Sequence, residues 1–351
     1  MMSNEYKSRR DFLKKSVIGA GATASLAGGL NAFAREHPGI ETKKLPREVW
    51  IATIGQHGIS ADSAGEMRDR ILGLMEQIVP LKPDIICLPE VFLYSNIPER
   101  PPLDQSAEKP VGEIIRPFAE FAKNHQCYVI CSTYTEDEGR YYNAAVLLDR
   151  SGKSVGEYRK MFPTEGEMER GITPGPLDPP VFETDFGRIG MQICFDSQWI
   201  DGWNKLYESG AEIVFWPSAY AGGSKLNSFA TLFSYHVVTS TRKDFSRIID
   251  PTGREIAASG RWEPNWTCAP VNLEKVAIPT WPYYVDFKKM ETRYGRDIRI
   301  TTLHDDEVSI IESLSADLKV SDILAAFQIK PRKEYLDSAE RMGSQIRNKM
   351  I

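Results

Sequence analysis

Gly190-Met191-Gln192-Ile193-Cys194-Phe195-Asp196 decides the reading of this chain. An apolar, strand-like run carries a thiol to the point where the chain turns, directly before an acidic residue. Two upstream segments end the same way: Ile85-Ile86-Cys87-Leu88-Pro89 runs out at Glu90, and Val155-Gly156-Glu157-Tyr158-Arg159 runs out at Lys160. Working outward, strands are expected at 48–56, 84–88, 127–135, 142–148 and 154–160, with amphipathic helices at 63–79 and 112–124. A second hairpin is expected over 181–194, then a helix near 203–209, a strand at 212–217, a helix near 225–234, and strands near 246–250 and 254–258. Strand and helix alternate, but the hairpins argue against a purely parallel sheet, so a layered α/β fold with mixed sheets is expected. From about residue 300 the pattern reads as charged and helical, ending in an arm at 330–351.

The chain has 351 residues, 42% of them hydrophobic and 26% charged, which suits a soluble globular protein with a sizeable core. A net charge of −5 and the lack of a basic stripe exclude non-specific nucleic-acid binding. Ser8-Arg9-Arg10-Asp11-Phe12-Leu13-Lys14, an apolar stretch to Ala34 and the triplet Ala32-Phe33-Ala34 match a twin-arginine export signal over 1–34. The expected location is therefore periplasmic or otherwise exported. The stretch is too mild for a stable membrane span. Five cysteines in an exported protein invite disulfides. Four of them, however, lie in or beside apolar runs, so buried free thiols are expected instead. No His/Cys cluster has zinc-type spacing, and no metal is expected.

The three strand ends form a chemical set. A thiol attacks well only as thiolate and needs a base or a positive field. Glu90 is the base, its basicity raised if the site is desolvated. Lys160 supplies positive charge to the sulphur and to the oxyanion of a tetrahedral intermediate. Taken singly, Cys194 is a small core hydrophobe, Glu90 a loop carboxylate and Lys160 a surface charge; their joint placement favours catalysis. A Cys-His arrangement is the rival, but none of His37, His57, His125, His236 and His304 has a catalytic flank.

Leu88-Pro89-Glu90, Tyr158-Arg159-Lys160 and Ile193-Cys194-Phe195-Asp196, in this order, resemble the nitrilase superfamily of carbon–nitrogen hydrolases. Gly171-Ile172-Thr173-Pro174-Gly175 and the segment Ser246 to Gly253 are similar too. The resemblance implies a four-layer α-β-β-α sandwich over 46–300, followed by a C-terminal extension at 301–351. It also implies a Glu-Lys-Cys triad, no metal, no organic cofactor, and pairing into a homodimer or higher homo-oligomer. A second glutamate between lysine and cysteine is implied as well. Glu165, Glu167 and Glu169 are the candidates, with Glu167 preferred.

Residues after the cysteine are expected to shape the substrate pocket: Phe195, Asp196 and Trp199, with Tyr220 nearby. No arginine follows Cys194, which favours a neutral or amine-bearing, partly apolar substrate. Trp216 reads as core. The stretch Ser234 to Phe245 looks shortened and altered, with Thr239-Ser240-Thr241-Arg242 where the family usually carries an Asn-Arg pair. The expected activity is hydrolysis of an amide or N-carbamoyl compound through a Cys194 thioester. Nitrile hydrolysis and a catalytically silent binding protein are the alternatives.

Overall fold

The computed structural model describes residues 45–109, 112–260, 262 and 264–350; the export segment, 1–34, lies outside the described residues. The chain runs through β1 (Glu48–Ile54), α1 (Ala64–Ile78), β2 (Ile85–Cys87), α2 (Leu103–Ser106), β3 (Ala107–Glu108) and α3 (Arg116–His125). It continues through β4 (Tyr128–Asp137), β5 (Arg140–Leu148), β6 (Ser154–Arg159), α4 (Glu165–Glu169), β7 (Val181–Glu183) and β8 (Arg188–Met191). Then come α5 (Asp201–Glu208), β9 (Ile213–Ser218), α6 (Ser224–Phe233), β10 (His236–Thr241), β11 (Arg247–Ile249), β12 (Glu255–Ala258) and β13 (Trp266–Asn272). The C-terminal part holds β14 (Lys275–Pro279), α7 (Phe287–Tyr294), β15 (Ile298–Leu303), β16 (Val308–Ser313), α8 (Val320–Phe327) and α9 (Arg332–Asn348).

Two mixed sheets form the centre. The first has the order β13-β1-β2-β4-β5-β6, with β3 beside β4; the second has the order β12-β11-β10-β9-β8-β7. Strand alternation explains how they stack. In β1 and β2, Ile51 and Ile85 face the second sheet and meet Ile189, Met191, Phe215 and Val238. Their neighbours Ala52 and Ile86 face outward onto Met67, Ile71 and Met75 of α1 and Phe118 of α3. Both faces of the sheet are therefore apolar, as burial on both sides requires. The second sheet is covered the same way by Trp203 and Leu206 of α5 and Leu226, Phe229 and Ala230 of α6. The result is the α-β-β-α layering implied by the motifs.

Helix α1 shows the local logic. Ser63 caps it by accepting from the Glu66 backbone N–H at 3.2 Å. Met67, Ile71, Met75 and Ile78, spaced one turn apart, are fully buried. Each contributes ~1.5–3 kcal/mol on burial.

One reading needs correction. The stretch beyond residue 300 is not wholly helical, because β15 and β16 pair antiparallel and join β14 in a third sheet. Ile298 and Ile311 are buried with residues of α7 and α8, and the opposite face carries Ala277, Val308 and Ile310 beside the charges Lys275, Arg299 and Glu312. The segment 234–245 contains a full strand, β10, placed between β9 and β11. Its hydroxyl-bearing residues Thr239, Ser240 and Thr241 are all buried, and two hydrogen bonds join β10 to β1. Ser240 Oγ donates to the Ile54 carbonyl at 2.6 Å, and Thr53 Oγ1 donates to the Thr239 carbonyl at 2.6 Å.

Candidate active site

Strand ends build the site. β1, β2 and β4 are mutually parallel, as are β8, β9 and β10. Glu90 follows β2, Lys160 follows β6, Cys194 follows β8 and Arg242 follows β10. Carboxyl ends of parallel strands are where such sheets place ligands. Two turns there hold non-glycine residues in the left-handed region: Val91, just after Glu90, at φ 44°, and Cys194 itself at φ 46°. Such strain clusters at functional sites.

Local bonds fix each group. The Lys160 backbone N–H donates to the Asn143 carbonyl at 2.8 Å, and its own carbonyl accepts from Gly175 N–H at 2.8 Å. Gly175 sits so close that a Cβ there would lie 2.3 Å from the Arg159 carbonyl oxygen, so only glycine fits. The Cys194 carbonyl accepts from Trp216 Nε1 at 3.1 Å. The buried Asp196 carboxylate accepts from Tyr158 OH at 2.7 Å, Phe162 N–H at 2.8 Å and Ile193 N–H at 2.9 Å, tying the cysteine turn to the end of β6. Burial pushes that carboxyl up to about 7 against those donors.

The charges are locked together. Lys160 Nζ lies 2.9 Å from Glu90 Oε1 and 2.8 Å from Glu167 Oε2, and its side chain is 1% exposed. Asn143 Nδ2 donates to both carboxylates, at 2.9 Å to Glu90 and 2.7 Å to Glu167. Glu167 belongs to a capping box on α4, accepting from the Thr164 backbone N–H at 2.8 Å. Glu165 and Glu169 are exposed. Arg242 reaches Glu90 Oε2 at 3.3 Å and Ser95 Oγ at 2.6 Å. Burial raises the Glu90 carboxyl, but Lys160 and Arg242 outweigh it and bring the group down to about 2. The expectation of a Glu90 made more basic by desolvation is thus corrected. Burial, followed by the charge of Glu90, pushes the Cys194 thiol up to about 12, although Lys160, the Ala219 backbone N–H and the Ser218 hydroxyl act the other way. Burial disfavours the Lys160 ammonium, yet Glu90, Cys194 and Glu167 together hold it charged. The resting state is therefore thiol, carboxylates and ammonium.

Glu90, Asn143, Lys160, Glu167 and Cys194 line one cavity of about 200 Å³, with Val91, Arg100, Tyr134, Thr164, Arg170, Ala219 and Arg242. Phe195, Asp196, Trp199 and Tyr220 do not line it. Phe195 and Trp199 pack edge to face and border a separate apolar cavity of about 840 Å³, in which Trp199 stacks on Phe162 at 4.2 Å. Tyr220 OH is engaged with Ser197 Oγ at 2.7 Å. Asp196 acts on the backbone. Among the described residues no cluster of three or more His, Cys, Asp or Glu is arranged to hold a metal ion.

Residues 51–278 match the family model described as carbon-nitrogen hydrolase. The chain belongs to this family. Among curated relatives, a beta-ureidopropionase of Arabidopsis thaliana is 28% identical over 199 residues, 52% of this chain and 48% of that protein. A deaminated glutathione amidase of Mus musculus is 29% identical over 163 residues, 42% of this chain and 50% of that protein. The chain spans about half the length of these relatives. A carbon-nitrogen hydrolase from Helicobacter pylori G27 superposes with TM-score 0.56 at 21% identity, covering 65% of this chain and 90% of the other. An amidase mutant from Nesterenkonia sp. AN1, a nitrilase-superfamily enzyme with an acetamide moiety covalently added at its active-site cysteine, gives TM-score 0.57 at 18% identity. It covers 72% of this chain and 99% of that one. These structures establish the nitrilase fold.

In this member of the family, several cavity residues carry no motif in the sequence. Asn143 carries no local signal; it meets Lys160 because β5 pairs with β6, Ala144 lying opposite Arg159. Tyr134 stands opposite Asn143 across the β4–β5 hairpin. Arg242 was visible as a departure, and its place after β10 explains it. Arg100 and Arg170 lie in segments without periodicity.

Proposed function

We propose that this protein hydrolyses a non-peptide C–N bond, in an amide or N-carbamoyl compound, through a thioester at Cys194. The observation that carries this reading is the Lys160 ammonium bridging two buried carboxylates in the cavity that holds the thiol. The thiol is protonated and Glu90 ionised, so attack and proton transfer proceed together. The Cys194 sulphur bonds to the carbonyl carbon while its proton passes to Glu90. The carbonyl electron pair moves onto oxygen, where Lys160 and backbone N–H groups stabilise the charge. Glu90 then hands the proton to the departing nitrogen as the C–N bond breaks. Water attacks the thioester, Glu90 takes its proton, and the thiol is restored. Glu167 holds Lys160 in place throughout. The adduct on the cysteine of the structurally similar amidase supports a covalent route.

Incubation of the purified protein with amides, N-carbamoyl compounds and nitriles tests the reading. Ammonia from the first two, with an acyl adduct on Cys194 by mass spectrometry, is expected. Ammonia from nitriles alone overturns it, and no turnover with unchanged ligand binding by Cys194→Ala points to a silent binding protein. We further propose export by the twin-arginine route and assembly into a homo-oligomer. Cell fractionation and light scattering test these, and a cytosolic or monomeric protein would refute them.

A further inference from the structure

We propose that the substrate carries a carboxylate, gripped by Arg100 and Arg170 at the rim of the Cys194 cavity. This rests on the hydrolase reading and reverses the expectation of a neutral substrate. Four cations, Arg100, Lys160, Arg170 and Arg242, line the cavity against two carboxylates, Glu90 and Glu167. Lys160 and Arg242 are engaged with those carboxylates. Arg100 and Arg170 are not. Arg100 donates to the Tyr94 carbonyl at 3.1 Å and to Tyr134 OH at 3.4 Å, and Arg170 donates to the Gly166 carbonyl at 3.2 Å. Among the described residues, no ion pair satisfies either one, and both are exposed where the cavity opens.

Two guanidinium groups without a carboxylate partner, on the wall of the cavity that holds the nucleophile, leave that wall cationic. A guanidinium offers planar, paired N–H donors that match a carboxylate. The cavity volume of about 200 Å³ lies below that of pockets for drug-sized ligands. The substrate is therefore a short chain with the amide or N-carbamoyl carbonyl at one end and the carboxylate at the other. Arginine is absent after Cys194, but the loop before α2 brings Arg100 and the end of α4 brings Arg170 to the same cavity.

The experiment compares succinamate and N-carbamoyl-β-alanine with butyramide, a neutral amide of similar size, in wild type, Arg100→Gln and Arg170→Gln. In the wild type the acids should be favoured in kcat/KM by roughly 10- to 100-fold, and each substitution should reduce that ratio by about tenfold, chiefly through KM. Free succinate should inhibit the wild type competitively, and less so each variant. Butyramide turned over as well as the acids, or an unchanged ratio in both variants, overturns the proposal while leaving hydrolysis intact. No ammonia from any of the three overturns the hydrolase reading itself, and this inference with it.

Discussion

At the residue scale the paired Glu90 and Cys194 dictate an unusual pH dependence. Lys160 and Arg242 hold Glu90 down to about 2, while the thiol sits at about 12. Between these limits the reactive form, carboxylate plus thiol, does not change. With a neutral amide, kcat/KM should show no limb from Glu90 or Cys194 between about pH 5 and 9, and the one change expected there lies at about 7, where Asp196, which ties the cysteine turn to β6, takes up a proton. In Glu90→Gln the base is gone, and attack depends on spontaneously formed thiolate. The residual rate should then be far lower and rise about tenfold per pH unit. A stopped pH series on both proteins checks this, and a flat profile in the variant would remove Glu90 from the role of base. The sequence disclosed these two residues and Lys160 because each closes an apolar run, a local and readable arrangement. Asn143 was hidden because its meaning comes from strand register, and Arg100 and Arg170 because an arginine in a loop announces nothing until the cavity is formed.

At the element scale the hallmark glycine segment acts through backbone contact. Gly175 holds the Lys160 carbonyl and lies against Arg159 with no room for a side chain. Gly175→Ala should push the end of β6 outward and displace Lys160 from both carboxylates. The expected result is a drop in kcat of about tenfold or more, since misplacement of a catalytic group by an ångström is felt at that level. Steady-state kinetics, with circular dichroism to confirm folding, checks it; an unchanged kcat would show that the loop yields instead. Elements with one dominant period, such as α1 and the strands β1, β2 and β4 to β9, were legible because their apolar residues recur at that period; the two-residue β3 was not. β10 was not, since its polar run Thr239-Ser240-Thr241 is buried, with Ser240 donating to carbonyls of the opposite sheet and Thr241 to the Asp244 carbonyl. β15 and β16 were obscured because charged residues, Arg299 and Glu312, alternate with their apolar ones.

At the scale of the whole molecule the two sheets hold different halves of the site. Glu90, Asn143 and Lys160 belong to the first; Cys194 and Arg242 belong to the second. Ser240 is one of the pins between them, donating to the Ile54 carbonyl and, at 3.1 Å, sharing its proton with that of Cys87. Ser240→Ala should lower stability by about 1 kcal/mol. The denaturant midpoint should fall with an unchanged slope, and a midpoint equal to wild type would mean that Ser246, which donates to Ile54 at 3.1 Å, and Thr53, which donates to Thr239, hold the junction without it.

Dividing the reacting groups between two sheets makes turnover a gauge of alignment. A slip of one layer past the other by a single strand residue is ~3.3 Å, enough to change how the thiol faces Glu90 and Lys160 in the cavity they share. No fragment holding one sheet can retain a diminished version of the proposed chemistry, because neither contains both Cys194 and Glu90. Selection for turnover is thus also selection for one way of stacking the sandwich, and the two properties cannot drift apart.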